Sequence, residues 1–213
     1  SCAGLGDLDQ DKVRDMAVGE PGSDSVSIVL LKREGTAKTV LPLAPGSGGL
    51  SSDLVPSGSK FGTSMAPLGR FFSGAAKDGM SDLAVGAPMH ERVGAVHLLQ
   101  LSTSGGVRQH TVITAGTLNF AGTLASNGLF GSSVTYLGDI DGDGVGDIAV
   151  GAPKAQGYGV LYVIRLTREG GVKGFTQITS GSPGFEFKLS AGRQFGGSCA
   201  GVGDVDGDGV PDL

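Results

Sequence analysis

Short apolar runs separated by turn-forming residues recur along the chain. Between residues 130 and 181 such runs cover about 131–137, 147–151, 159–167 and 174–181. The third run, GVLYVIRLT, is rich in the aliphatic and aromatic residues that favour strands. No stretch of the sequence shows sustained helical spacing of apolar residues. The pattern therefore predicts an all-β fold.

The same pattern repeats along the sequence. The phrases FGTSMAPLG, FGSSVTYLG and FGGSCAGVG begin at Phe61, Phe130 and Phe195, and the phrases DMAVGEP, DLAVGAP and DIAVGAP occur once per repeat. The aspartate that opens or would open the second phrase lies at positions 15, 82, 147 and 212, so the spacings are 67, 65 and 65 residues. Earlier repeats also contain counterparts of the third and fourth strands, in DSVSIVLLKR with KTVLPLA and in GAVHLLQLS with HTVITAG. A period of this length indicates a repeat architecture.

Four short strands per repeat, with glycine at the corners, are typical of a β-propeller blade. We expect one partial propeller domain over residues 1–213, made of four-stranded antiparallel blades. Its repeat units are approximately 1–60, 61–129, 130–194 and 195–213, with the first and last incomplete. Because propellers usually have about 4–8 blades, we expect a fragment of a larger propeller, completed by further blades from the missing chain or another copy.

Composition and charge sharpen this picture. Gly and Pro together make up 49 of 213 residues, and since a period is present, we interpret the glycines as turn residues. The net charge is −5, but 12 of the 21 acidic residues fall in three windows, 7–15, 139–147 and 204–212. The acidity is therefore local. No dense Lys/Arg cluster suggests nucleic-acid binding, and no segment approaches the length of a transmembrane helix.

The acidic windows have the spacing of a cation site. In DIDGDGVGD, aspartates occupy positions 1, 3, 5 and 9, and a backbone carbonyl is available at position 7. Oxygen ligands in that number suit Ca²⁺, and four close carboxylates would otherwise repel one another. The predicted calcium ligands are Asp7, Asp9, Asp11, Val13 and Asp15 in the first window, Asp139, Asp141, Asp143, Val145 and Asp147 in the second, and Asp204, Asp206, Asp208, Val210 and Asp212 in the third.

Two other kinds of loop share part of this acidic pattern. An EF-hand requires an acidic residue at position 12, where the second window has Val150. An aspartate-rich hairpin turn without metal remains the alternative. In the first window, Lys12 and Arg14 predict weaker calcium binding.

The second repeat departs from the calcium pattern. Between Gly69 and Asp82 it reads RFFSGAAKDGMS, which keeps Asp78 but loses the acids at positions 1 and 3. We expect Arg70 or Lys77 to supply a positive charge there and predict no calcium in this repeat.

The recurring FG, DxDxDG and GAP elements resemble the FG-GAP repeat of the integrin α-chain β-propeller. The resemblance implies propeller blades with structural calcium in the hairpin between the first two strands of a blade. It also implies a non-enzymatic recognition or cell-adhesion module at an extracellular or cell-surface location. The alternatives are a lectin-like carbohydrate-binding propeller and an accessory propeller domain of a larger secreted enzyme.

No residue is a candidate for catalysis. His90, His97 and His110 lack zinc-ligand spacing, and GGSCA at 196–200 lacks the final glycine of a nucleophile elbow. We therefore expect function to reside in the loops. Protein or glycan ligands are expected on the face opposite the calcium hairpins, formed by the turns between second and third strands and by the long connections between blades. Those segments cover about 20–25, 88–94, 153–159, 44–60, 115–129 and 180–194.

Overall fold

The computed structural model describes residues 1–69, 71–72, 82–117 and 119–213. Within them, three four-stranded antiparallel sheets follow one another along the chain, which confirms the all-β propeller-blade fold. The first sheet contains β1 (Cys2–Gly6), β2 (Asp15–Glu20), β3 (Ser25–Leu31) and β4 (Ala37–Leu43). The second contains β5 (Ser64–Gly69), β6 (Asp82–Ala87), β7 (Ala95–Leu101) and β8 (Val107–Ile113). The third contains β9 (Ser133–Gly138), β10 (Asp147–Ala152), β11 (Val160–Leu166) and β12 (Val172–Ile178).

Each sheet is a simple meander in which consecutive strands pair. In the third sheet, the third strand falls inside its predicted range, whereas the fourth begins at Val172, two residues before the predicted start. Single-turn 3₁₀ helices, His90–Arg92 and Ala155–Gly157, join the second and third strands of the last two sheets. In the described residues, no helix has the length and apolar character needed to cross a membrane.

Apolar side chains fill the spaces between neighbouring sheets. Leu83 and Val85 of β6 belong to the cluster shared with Ile28 of the first sheet. Ala84 from the same strand belongs to the cluster shared with Ile148 of the third sheet. Because successive residues of β6 point to opposite faces, the middle sheet buries both of its faces against neighbours.

The FG and GAP elements meet where adjacent blades touch. A side chain on Gly86 of β6 would overlap the carbonyl oxygen of Gly131, and Gly151 of β10 stands in the same relation to Gly196. The Ser64 hydroxyl donates a hydrogen bond to that Gly131 carbonyl at 2.9 Å. The glycine of GAP therefore allows the FG turn of the next repeat to approach the strand closely.

Candidate metal centres

Carboxylate oxygens from each acidic window converge on a common point. Within each group, one oxygen per residue lies within 4.8 Å of the others, which brings together loop positions 1, 3 and 9. The groups are Asp7, Asp9 and Asp15, then Asp139, Asp141 and Asp147, then Asp204, Asp206 and Asp212. The first two groups lie in the β1–β2 and β9–β10 hairpins, and the third lies in a loop closed by the pairing of Gly203 with Asp212.

The loop backbone wraps around the carboxylate at position 1. Asp139 accepts hydrogen bonds from the Gly142 N–H at 2.8 Å and the Gly144 N–H at 2.7 Å. Both glycines have left-handed backbone conformations, with φ of 77° and 81°. Glycine adopts this conformation without steric cost, so the DGDG sequence is suited to the observed curl. In the third window, the Gly207 and Gly209 N–H groups contact Asp204 in the same way.

The first window has the same shape without those glycines. Gln10 and Lys12 occupy the left-handed positions, with φ of 65° and 68°. The Lys12 N–H donates to Asp7 at 2.9 Å. A left-handed conformation costs a residue with a β-carbon about 1–2 kcal/mol. The first loop is therefore held in its shape less favourably than the second.

In the first and third blades, the closing aspartate ties the hairpin to the third strand. Asp147, 1% exposed, accepts from the Ile140 N–H at 3.0 Å and, through its other oxygen, from the Leu166 N–H at 2.9 Å. Burial raises the pKa of Asp147 to about 6, although both hydrogen bonds act in the opposite direction. Asp15 makes equivalent bonds to the N–H groups of Leu8 and Leu31. The aspartate at position 9 therefore has a structural role in both hairpins that does not require metal.

The carboxylate at position 5 faces a lysine. Asp143 accepts from the Val145 N–H at 2.9 Å with one oxygen and from the Lys173 ammonium at 2.6 Å with the other. Lys173 also lies 2.7 Å from Asp141. The Lys173 hydrogen bond lowers the pKa of Asp143. Asp143 is not among the three carboxylates of this window that converge.

The first window repeats this arrangement. Lys38 lies 2.7 Å from Asp9 and 2.8 Å from Asp11, and Asp11 accepts from the Val13 N–H at 2.9 Å. Asp11 is likewise outside the three-carboxylate group of its window.

The third window is open to solvent and has the same internal bonds. The Val210 N–H donates to Asp208 at 2.7 Å, and the Val205 N–H donates to Asp212 at 2.8 Å. The Asp208 N–H donates to Asp206 at 3.1 Å. Use of the carbonyls of Val13, Val145 and Val210 as ligands stays a prediction.

In the second repeat, Asp82 bonds to the loop after β5 through one oxygen, and its other oxygen has no hydrogen-bond partner among the described residues. Its side chain is fully buried and accepts from the N–H groups of Phe71 and Phe72 at 2.6 and 2.8 Å. Burial raises its pKa to about 6. Asp78, Arg70 and Lys77 lie outside the described residues, and the absence of calcium here stays a prediction.

The donor sets fit calcium better than other common metals. Each group offers carboxylate oxygens alone, without imidazole or thiolate ligands. Hard oxygen donors suit Ca²⁺, which accepts flexible geometry and completes its shell with carbonyls and water. The residues present are therefore compatible with the cation that the spacing predicts.

Sequence reasoning missed a histidine cluster on the blade 1–2 interface. His97 Nδ1 lies 2.8 Å from His110 Nε2, and the ring centroids of His90 and His97 are 5.4 Å apart. His97 is fully buried, and its ring packs edge-on against Phe61. Alignment of the repeats could have indicated that His97 is buried between blades. His97 is the third residue of its strand, and the third residue of the corresponding strand in the next blade is the aromatic Tyr162.

Residues 130–164 match the family model described as the FG-GAP repeat. Integrin alpha-PS2 of Drosophila melanogaster is 31% identical over 226 residues, covering 98% of this chain. Integrin alpha-4 of Xenopus laevis is 34% identical over 140 residues, and integrin alpha-IIb of Homo sapiens is 34% identical over 148 residues, each covering 64% of this chain. The chain spans 13–14% of the length of these relatives. With the three four-stranded blades and the recurring motifs, these matches identify the chain as an FG-GAP repeat protein, similar to the propeller of integrin α chains.

Proposed function

We propose that the chain is a calcium-stabilised segment of an extracellular or cell-surface propeller and that it acts in adhesion-type recognition without catalysis. The observation that carries the proposal is the convergence of carboxylates in all three acidic windows. The relatives named as integrin α chains support the recognition role.

Calcium has a structural role in this proposal. The carboxylates at positions 1, 3 and 9 hold the ion, with the position-5 carboxylate and the position-7 carbonyl available to complete the shell. When bound, calcium supplies positive charge that offsets the repulsion among the aspartates. Because the closing aspartate is also bonded to the end of the third strand, the ion stiffens the hairpin and its attachment to the blade.

Recognition is assigned to the opposite face. The turns between second and third strands lie at the far ends of the strands from the acidic hairpins. One such turn presents Met89, 52% exposed, beside a cavity of about 230 Å³. Arg92, Asn127 and Leu129 also line this cavity. An apolar side chain beside polar groups suits a protein ligand.

Thermal unfolding of the chain with calcium and with chelator tests the metal assignment. A ligand that binds only the folded state raises the unfolding midpoint, so calcium is expected to raise it and chelator to reverse the rise. The matched control removes the position-3 carboxylates through Asp9→Ala, Asp141→Ala and Asp206→Ala, and its midpoint is expected to respond weakly. An identical midpoint with calcium and with chelator would refute calcium binding.

The recognition face is tested separately, by immobilising the chain and measuring capture of purified extracellular-matrix proteins. Met89→Asp is expected to reduce capture, whereas Val40→Asp, at an exposed position on β4, is the control. Equal loss in both variants, or no capture by the parent, would contradict the assignment of this face.

A further inference from the structure

Lys38 and Lys173 occupy the same place in two blades. Each is the second residue of the fourth strand and is the residue left unpaired where the register with the third strand shifts. Each bridges the carboxylates at loop positions 3 and 5 of its own blade, at 2.6–2.8 Å. The contact joins the fourth strand to the loop between the first two strands, so it forms only when the four strands are assembled.

The lysine contacts occupy carboxylate oxygens that a metal would use. Both oxygens of Asp143 are engaged, one by the Val145 N–H and the other by Lys173. The other three carboxylates of this window converge, and Asp143 does not join them. A calcium ion that takes all four carboxylates must therefore draw an Asp143 oxygen away from the ammonium.

We propose that Lys38 and Lys173 are built-in competitors of calcium that set the affinity of the window in their own blade. This inference rests on the proposed calcium function. Without metal, each ammonium compensates part of the loop's negative charge and keeps the hairpin folded. With metal, the same ammonium lies close to a divalent cation, and the two positive charges repel. Both effects weaken calcium binding.

The expected magnitude is moderate because the lysines are about half exposed. Their side chains retain 42% and 45% exposure, so solvent screens the contacts. Replacing Lys173 by methionine, which keeps the chain length and removes the charge, is expected to tighten calcium binding about three- to tenfold. The gain should shrink as salt is raised, because ions screen exposed charges.

A natural probe distinguishes the second window from the others. The ring of Tyr136 packs against Gly146 inside this window, and the sequence contains no tryptophan. The matching residues before the other two windows are Gly4 and Gly201. Terbium, which takes the same oxygen ligands as calcium, should therefore luminesce through Tyr136 when it occupies the second window. Tyr136→Phe gives the background from the remaining tyrosines.

The experiment displaces terbium from the 213-residue chain with calcium, for the parent, Lys173→Met and Lys188→Met. Lys188 is an exposed lysine in the connection after β12, so its variant controls for the loss of one positive charge. We expect Lys173→Met to bind calcium three- to tenfold more tightly and Lys188→Met to match the parent. Adding Asp143→Asn to Lys173→Met should remove the gain.

The outcomes separate the two proposals. Unchanged or weaker calcium binding by Lys173→Met, while the parent binds calcium, overturns the competitor role alone. Failure of the parent to bind calcium overturns the proposed calcium function and the competitor role with it. Unfolding midpoints give a second measurement, because Lys38→Met should melt lower than the parent in chelator and show a larger rise with calcium. An unchanged midpoint in chelator would also contradict the competitor role.

Discussion

Mild acid should weaken the joint between the first two blades through the histidine cluster. His97 and His110 share a hydrogen bond, and the remaining ring nitrogens, His97 Nε2 and His110 Nδ1, are buried without a partner in the described part of the chain. Burial holds the pKa of His97 well below its usual value of 6.5 and lowers that of His110 to about 4. The charged side chains of Asp53 and Glu91 line the cavity beside His90, and Glu91 raises the pKa of His90 against the effect of burial.

The magnitude follows from proton linkage. A histidine whose folded pKa is depressed binds its proton more readily in the unfolded chain, so stability is lost as pH falls below about 6.5. Each histidine that stays neutral in the fold lowers the free energy of unfolding by about 2 kcal/mol between pH 6.5 and about pH 5. His97 and His110 together therefore lower the free energy of unfolding by about 4 kcal/mol over this pH range. Asp82 and Asp147 raise the free energy of unfolding by about 1 kcal/mol each as the pH falls to 5, because their folded pKa values are raised to about 6 and the folded chain takes up their protons first.

The next blade supplies the comparison that isolates the histidines. Tyr162 and Phe175 occupy the positions of His97 and His110, and Phe130 packs edge-on against Tyr162 as Phe61 does against His97. A double variant, His97→Tyr with His110→Phe, copies this apolar pair. Urea unfolding at pH 7 and pH 5 should show the parent losing about 4 kcal/mol more than the variant.

Parallel pH dependence in the parent and the double variant would refute the reasoning. His110→Phe alone is the reserve variant, because His110 is only partly buried and its replacement disturbs less packing. His110→Phe alone should remove about half of the difference in acid-induced stability loss between the parent and the double variant. NMR titration of the parent provides an independent check, since the His97 ring is expected to remain neutral at pH 5.

Two further predictions concern single side chains. Gly86→Ala should lower the free energy of unfolding in urea by about 3 kcal/mol, because the new methyl group meets the Gly131 carbonyl. Gly4→Ala is the control and should lower it little, because open space surrounds Gly4. Equal losses in the two variants would contradict the close approach of FG and GAP. Asp147→Ala should destabilise the chain by about 3 kcal/mol even in chelator, because it leaves the N–H groups of Ile140 and Leu166 unpaired. Asp141→Ala should change the free energy of unfolding in chelator by less than about 1 kcal/mol and weaken calcium binding about tenfold or more. A large loss of stability from Asp141→Ala in chelator would contradict the assignment of a structural role to Asp147 and a metal-binding role to Asp141.

Local sequence patterns predicted most of the fold. Short apolar runs and turn residues predicted four strands per repeat, and the third strand of the third blade was predicted to within one residue at each end. The DGDG phrase predicted a tight acidic turn because glycine is the residue that adopts its left-handed conformations freely. These features depend on neighbours in sequence.

Contacts between distant residues were not predictable in the same way. Lys173 meets Asp143 across 30 residues, and the contact depends on the register of four strands. The convergence of His90, His97 and His110 depends on the pairing of β7 with β8 and on the short helix before β7, so spacing along the sequence alone does not reveal it. Comparing equivalent positions between repeats would have revealed both features, since such positions are brought into equivalent surroundings.

Direct calcium counting by equilibrium dialysis of the chain tests the central claim most directly. At millimolar calcium, the three convergent carboxylate groups predict three bound ions per chain, with the first window filling last because Gln10 and Lys12 take the left-handed positions. The triple variant, Asp9→Ala with Asp141→Ala and Asp206→Ala, should bind far fewer ions at the same concentration. Binding of fewer than one ion by the parent, or equal binding by parent and variant, would contradict the account.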